Sequence, residues 1–240
     1  KLMNIRQNIN VEFTARRLVW ELMQNAKDNV SLCNKENEKV DVKIKLSENQ
    51  FTFSHSKGYF TNEHIRGLIR KYSSSDKDRD LDDLPQVHKT TGRFGTGFMT
   101  THLLAETVLI KSYYKNDDTM FSEFQFLLDR SGKSEKDIVQ GINNAFEDAE
   151  ASIQSSKNEI LASNDFNTSF IYSLTDNRKK LAEISLHEVQ RGIAYTLINV
   201  LEINSVVLED EVIGEIKYSI ELLETISYFE SEFLIYCLNI

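Results

Sequence analysis

The chain has 240 residues, 40% of them hydrophobic and 27% charged, enough for a domain of this length to bury roughly 70–75% of its unfolded surface, which excludes disordered and fibrous architectures. Twenty-eight Lys and Arg stand against 37 Asp and Glu, a formal charge of −9, so nucleic-acid binding through counterion release is not indicated for this domain. Cys33 and Cys237 are the only cysteines, too few for a disulfide framework or a four-cysteine zinc site, and a reducing, cytoplasmic setting is expected.

No signal peptide opens the chain, and apolar runs such as 233–238 fall far short of the ~20 residues of a membrane helix, so no membrane partner is expected. The chain starts at Lys1 and ends in an apolar run. We therefore expect a piece, the N-terminal part, of a longer polypeptide. Residues 1–240 read as one domain.

In chain order, residues 12–32 predict a helix. With Glu21 at 0° and about 100° per residue, Leu18, Leu22, Ala15, Ala26, Val19, Val30 and Met23 fall on one apolar arc between about 60° and 200°. Glu21, Asn25 and Asp28 occupy the neighbouring arc. An amide oxygen there can complete the shell of a Mg²⁺ that keeps most of its waters and phosphates, and a carboxylate one turn away can orient or deprotonate water. Three polar residues bordering an apolar stripe are equally a plain solvent boundary.

Alternation over 40–46 and 50–53 predicts two strands joined at Ser47-Glu48-Asn49, and a short helix follows over 62–70. Residues 73–92 are polar and contain Pro85, the sole proline. A loop that long in a compact domain is a lid or is disordered. It runs into three of the nine glycines, Gly92, Gly95 and Gly97, ahead of a helix starting near Phe98. Bare backbone at a helix start suits a phosphate chain, although tight turns use the same residues, and no Lys-Ser/Thr pair follows to make a Walker loop. Strands are predicted at 107–114, 121–128, 168–174, 205–208, 215–222 and 233–238, and helices at 134–161 and 185–201. The fold class is α+β: a two-layer sandwich with a mixed, mostly antiparallel sheet and helices on one face.

Four segments, LVWELMQNAKDN (18–29), FTFSHSKGYFTNEHIRGLI (51–69), GRFGTGF (92–98) and NTSFIYSL (167–174), resemble in order the boxes of the GHKL superfamily of ATP-binding domains, which share the Bergerat fold. The resemblance is nearest to the heat-shock-chaperone and sacsin-like branch and spans about residues 12–175. It implies ATP and Mg²⁺ as cofactors, Asn25 as the Mg²⁺ ligand, Glu21 as the catalytic group activating water, and Asp28 lining the nucleotide pocket. Gly92, Arg93, Phe94, Gly95, Thr96, Gly97 and Phe98 would wrap the phosphates, Thr168 would sit near adenine, residues 71–91 would form the lid with Lys77 or Lys89 as phosphate contacts, and 131–165 would be a helical insertion.

The second box departs from the family, whose adenine-binding aspartate is matched here by His55. The implied function is Mg-dependent ATP binding and slow hydrolysis that drives lid closure and a conformational or dimerisation switch in a larger protein, with downstream domains of the same polypeptide and a nucleotide-dependent second copy as partners. The alternatives are a nucleotide-binding switch or scaffold without hydrolysis and a histidine-kinase-type phosphotransfer domain.

Overall fold

A computed structural model describes residues 10–33, 38–70, 97–117, 119–160, 166–212, 214–228 and 231–240. The chain order is α1 (Val11–Cys33), β1 (Val40–Leu46), β2 (Gln50–His55), α2 (Asn62–Arg70), α3 (Gly97–Thr100), a 3₁₀ turn (Thr101–Leu103), β3 (Thr107–Lys115), β4 (Phe121–Asp129), α4 (Glu135–Ser155), β5 (Asn158–Glu159), β6 (Thr168–Ser173), α5 (Asp176–Asn199), β7 (Ile203–Asp210), β8 (Gly214–Tyr228) and β9 (Ser231–Asn239). The strands form one nine-stranded sheet in the order β5-β4-β3-β6-β2-β1-β7-β8-β9. Every named strand pair is antiparallel except β1 with β7, so the α+β class and the mostly antiparallel sheet stand as expected. No helix among the described residues is long and apolar enough to cross a membrane.

Side chains alternate across a pleated sheet, and the pairing here carries one apolar row through seven strands. Phe126, Ile110, Phe170, Phe53, Ile44, Leu208 and Ile216 lie side by side, all but Ile216 buried to within 5% exposure. Against this face pack Leu18, Val19, Leu22, Met23 and Ala26 of α1, Ala182, Leu186, Val189, Ile193 and Leu197 of α5, and Ala145 and Ala149 of α4, in one continuous core. The opposite face is polar over β1, β7 and β8, where Lys43 Nζ lies 2.8 Å from both Glu209 and Glu215 and Lys45 Nζ lies 2.6 Å from Glu209. Those hydrogen bonds raise the Lys43 pKa and lower that of Glu209.

The helices meet each other through small residues. Gly192 of α5 lies under Trp20, where an added Cβ would stand 3.0 Å from the indole, and Ser185 donates a hydrogen bond to the Ala15 carbonyl. Helix α4 starts at a capping box in which the Ser134 hydroxyl accepts from the Asp137 N–H and the Asp137 carboxylate accepts from the Ser134 N–H. It then lies along the outer side of β4: Ser152 Oγ accepts from the Gln125 N–H at 3.0 Å, and Ser156 donates to the Glu123 carbonyl. Gly141 lets the two backbones touch, since a Cβ there would be 2.8 Å from the Asp129 carbonyl oxygen.

Several boundaries differ from the sequence reading. The helix expected over 134–161 stops at Ser155, and 158–159 instead pair with β4. The helix expected at 185 starts at Asp176, and its first turn, Asp-Asn-Arg-Lys-Lys, has no apolar residue to mark it in the sequence. Strand β8 runs on to Tyr228 rather than ending at Leu222, with a register shift between Leu222 and Glu224 that breaks the alternation. The helix after the glycines is only four residues and a 3₁₀ turn, with the Thr101 hydroxyl donating to the Phe98 carbonyl at 2.7 Å.

Arg130, at the end of β4, has no exposed surface. Its Nη2 donates to the Ile69 carbonyl at 2.7 Å and its Nη1 to the Asp129 carbonyl at 3.2 Å, placing a cation on the C-terminal turn of α2 where free carbonyls and the helix dipole favour it. Arg130→Met keeps much of the apolar stem and removes these bonds. It should cost about 1.5–3 kcal/mol in urea denaturation, the range for bonds to a charged group, and should speed amide exchange over the last turn of α2; unchanged stability would refute the assignment.

Candidate functional site

The apolar alternation of β2 delivers Phe51 and Phe53 into the core and, two residues on, His55. His55 is 2% exposed, and its cross-strand partner Thr168, on β6, is fully buried. Thr168 Oγ1 lies 2.7 Å from the Ser112 hydroxyl of β3, so three neighbouring strands place polar atoms side by side on a face that is otherwise apolar. The imidazole Nδ1 is 3.2 Å from the Ser56 carbonyl. A carbonyl only accepts, so this is a hydrogen bond with the proton on Nδ1, which leaves Nε2 as an acceptor. Burial pushes the His55 pKa down to about 4, against the opposing effect of that carbonyl; the ring is neutral near pH 7.

The chain then turns sharply. Ser56 is bound at both ends to Asp41, its N–H donating to the Asp41 carbonyl and its Oγ accepting from the Asp41 N–H, each at 2.9 Å. Lys57 takes a left-handed φ of 66°, a conformation costly for a residue with a Cβ, and its N–H donates to Asn167 Oδ1 at 3.3 Å. Gly58 follows with no room for a side chain: a Cβ would stand 2.1 Å from Asn29 Oδ1 and 2.6 Å from His55 Cε1. Asn29 Nδ2 donates to the Tyr59 carbonyl at 3.2 Å. Helix α1 is thereby tied to the turn after His55, and Phe60 pairs in parallel with Tyr114 to fix the far side of the turn.

On α1, Glu21, Asn25 and Asp28 are half-buried at the border of the fully buried stripe, and Glu21 Oε1 accepts from Arg17 Nη2 at 3.3 Å. Asn25 is one turn before Asn29, so both fall on the same side of the helix. Helix α1 also packs against α3 and the 3₁₀ turn. Phe98 differs from the role implied for it: its ring is 5% exposed and points into the core, with centroids 5.5 Å from Phe170 and 6.0 Å from His102. A phosphate contact from Phe98 would have to come from its backbone. Gly97 opens α3, while Lys77, Lys89, Gly92, Arg93, Phe94, Gly95 and Thr96, with the expected lid at 71–91, lie outside the described residues.

The structure thus brings together α1, the turn after His55, Thr168 and the start of α3. Sequence reasoning missed Asn29, Ser112 and Asn167. Asn29 carried a readable signal, being four residues after Asn25; the other two act through contacts between distant segments. Among the described residues no group of three or more His, Cys, Asp or Glu side chains forms a metal cage. No protein-family model matches the chain, and no curated protein gives a significant match.

Two outcomes follow from this geometry. Gly58→Ala should destabilise the fold by about 1–3 kcal/mol through overpacking, and Asn29→Ala should recover part of that loss in a double-mutant cycle; strictly additive losses would show that the two residues do not press on each other. For His55, the unfolded chain takes up a proton near pH 6.5 whereas the folded state does so only near pH 4. Its stabilising contribution is full above pH 6.5 and is lost as the pH falls toward 4, on the order of 3 kcal/mol in all at about 1.4 kcal/mol per unit. His64, also lowered by burial, acts in the same sense. The stability difference between wild type and His55→Asn, measured by urea titration at pH 7 and pH 5, should therefore narrow at the lower pH.

Proposed function

We propose that the chain is an ATP-binding domain of GHKL type that takes Mg²⁺-ATP between α1 and the turn after His55 and hydrolyses it slowly. The observation that carries this reading is the neutral His55, whose Nδ1–H meets the Ser56 carbonyl so that Nε2 keeps its lone pair, at the strand position paired with Thr168 and next to the glycine that abuts Asn29 of α1. An acceptor in that place suits the exocyclic amine of adenine, the task that falls to aspartate in the family it resembles. Gly58 supports the same reading, since a side chain there would fill the space between Asn29 and the imidazole.

The donor set fits the implied metal. A single amide oxygen, that of Asn25, suits a Mg²⁺ that takes its other ligands from water and phosphate, and the ion would neutralise the phosphate charge there. Glu21 would orient the attacking water and accept its proton. Its pair with Arg17 is an i,i+4 contact on a half-exposed surface, worth about 0.3–0.5 kcal/mol, so the carboxylate can leave it at little cost. Lys77, Lys89 and Gly92 to Thr96 take their phosphate-binding roles from the resemblance alone, as do lid closure and a nucleotide-dependent dimer, while a cytoplasmic location is read from the scarcity of cysteine. The second reading is a nucleotide-binding switch without hydrolysis, motivated by the departure of the second box at His55 from the family pattern.

ATP binding and phosphate release by the wild type, Glu21→Ala and Asn25→Ala separate these readings. Glu21→Ala should bind ATP within about three-fold of wild type and lose turnover by about 10²-fold or more, the usual weight of a general base; Asn25→Ala should lose Mg²⁺-dependent binding. Turnover untouched by Glu21→Ala would remove Glu21 from catalysis. Binding without turnover in the wild type would establish the switch, and absence of ATP binding would overturn both.

A further inference from the structure

Helices α2 and α4 pack against each other and leave between them a cleft of about 520 Å³. On α2 the lining positions recur as Asn62, Ile65, Arg66 and Arg70, the three- and four-residue spacing of one helical face. The floor is apolar. Ile65 and Ala149 are buried, and Phe146 and Ile153 are partly buried against the core. Ala149 accounts for the space, since Phe146 and Ile153 flank it about one turn away on either side and its single methyl is too short to close the gap to α2. Tyr114 of β3 adds a second ring to the lining.

The polar part of the lining is unequal in charge. Arg66 and Arg70 stand one turn apart on α2, and among the described residues neither guanidinium has an ion-pair partner, although the chain carries a formal charge of −9. Arg70 lies over the Phe146 ring, its Cζ 5.4 Å from the centroid. A ring takes up the flat side of a guanidinium and leaves the in-plane N–H donors for another partner. Across from them Glu150 is the one carboxylate of the described lining. Two guanidiniums and one carboxylate leave the cleft with one net positive charge.

A cleft of this volume, with an apolar floor and a few convergent polar groups, is of the kind that takes small molecules. The guanidinium fork matches the oxygens of a carboxylate or a phosphate. A phosphate monoester brings a charge of about −1.5 to −2, more than this cleft balances, whereas a carboxylate brings one.

We propose that the cleft between α2 and α4 binds a small aromatic monocarboxylate, its carboxylate held by Arg66 and Arg70 and its ring seated on Ile65, Ala149 and Ile153 beside Tyr114. None of these residues carries a nucleotide role, so the test is independent of ATP binding.

The probe is cinnamate, followed by amide chemical-shift titration of the whole chain. Cinnamyl alcohol keeps its body without the charge, and acetate its charge without the body. Cinnamate should shift amides of α2, of α4 and around Tyr114, and should bind about ten-fold or more tightly than either counterpart, the weight of a hydrogen-bonded charge. Arg66→Gln/Arg70→Gln, at exposed positions, should lose that advantage while the unfolding curve stays near that of the wild type. Glu150→Gln, which removes the opposing carboxylate, should tighten cinnamate binding and leave the alcohol unaffected. Absence of cinnamate binding at low millimolar concentration, equal affinity for cinnamate and the alcohol or acetate, or affinity indifferent to the arginine substitutions would overturn the proposal. So would displacement of cinnamate by Mg²⁺-ATP, since the cleft would then belong to the nucleotide site.

Discussion

The pairing of β2 with β6 is the constraint on which the site rests, because it decides where a histidine goes without reference to what the histidine does. Phe51 and Phe53 must face inward, and His55 shares their parity. A slip of β2 by one residue would turn Phe51 and Phe53 toward the other face together with His55 and part them from Tyr172, Phe170 and Thr168. The burial of four aromatic rings, at roughly 1.5–3 kcal/mol for a side chain of this size, therefore holds an imidazole and a hydroxyl in a place that neither would choose. The polar patch is a passenger on the core.

That arrangement explains why the imidazole can serve as a fixed acceptor. In water a histidine near neutral pH exchanges between charge states and tautomers. Here burial removes the charged state and the Ser56 carbonyl selects the tautomer. The turn that supplies this carbonyl is itself held by Asp41 on one side and by Asn29 and Asn167 on the other, so orientation is set by three separate segments. Carboxylate and neutral imidazole differ in charge, yet either can present a lone pair to an amine.

Much of this was legible in the sequence. The strands β1 to β4 and β6, helix α2 and the polar arc of α1 follow from period and turn chemistry, and Glu21, Asn25, Asp28, His55 and Thr168 were singled out from their segments. What escaped has a common cause. Gly58 matters because Asn29, from another element, comes within van der Waals distance of where its side chain would be, and Ser112 matters because β3 lies beside β6. Neither neighbour is adjacent in sequence. Helix α5 begins earlier than its period suggests for a different reason, since its first turn, 176–180, is wholly polar and carries no apolar signal, and β8 runs on because a bulge interrupts its alternation.

The two borders of the sheet are treated differently. At one border α4 occupies hydrogen-bonding groups of β4 through Ser152 and Ser156, and the two-residue β5 covers the next stretch. At the other, among the described residues, β9 pairs on one side only. Exposed strand edges template further strands, so an extended chain that enlarges the sheet on this side meets two open edges among the described residues, β9 on its outer side and β8 beyond Ser219.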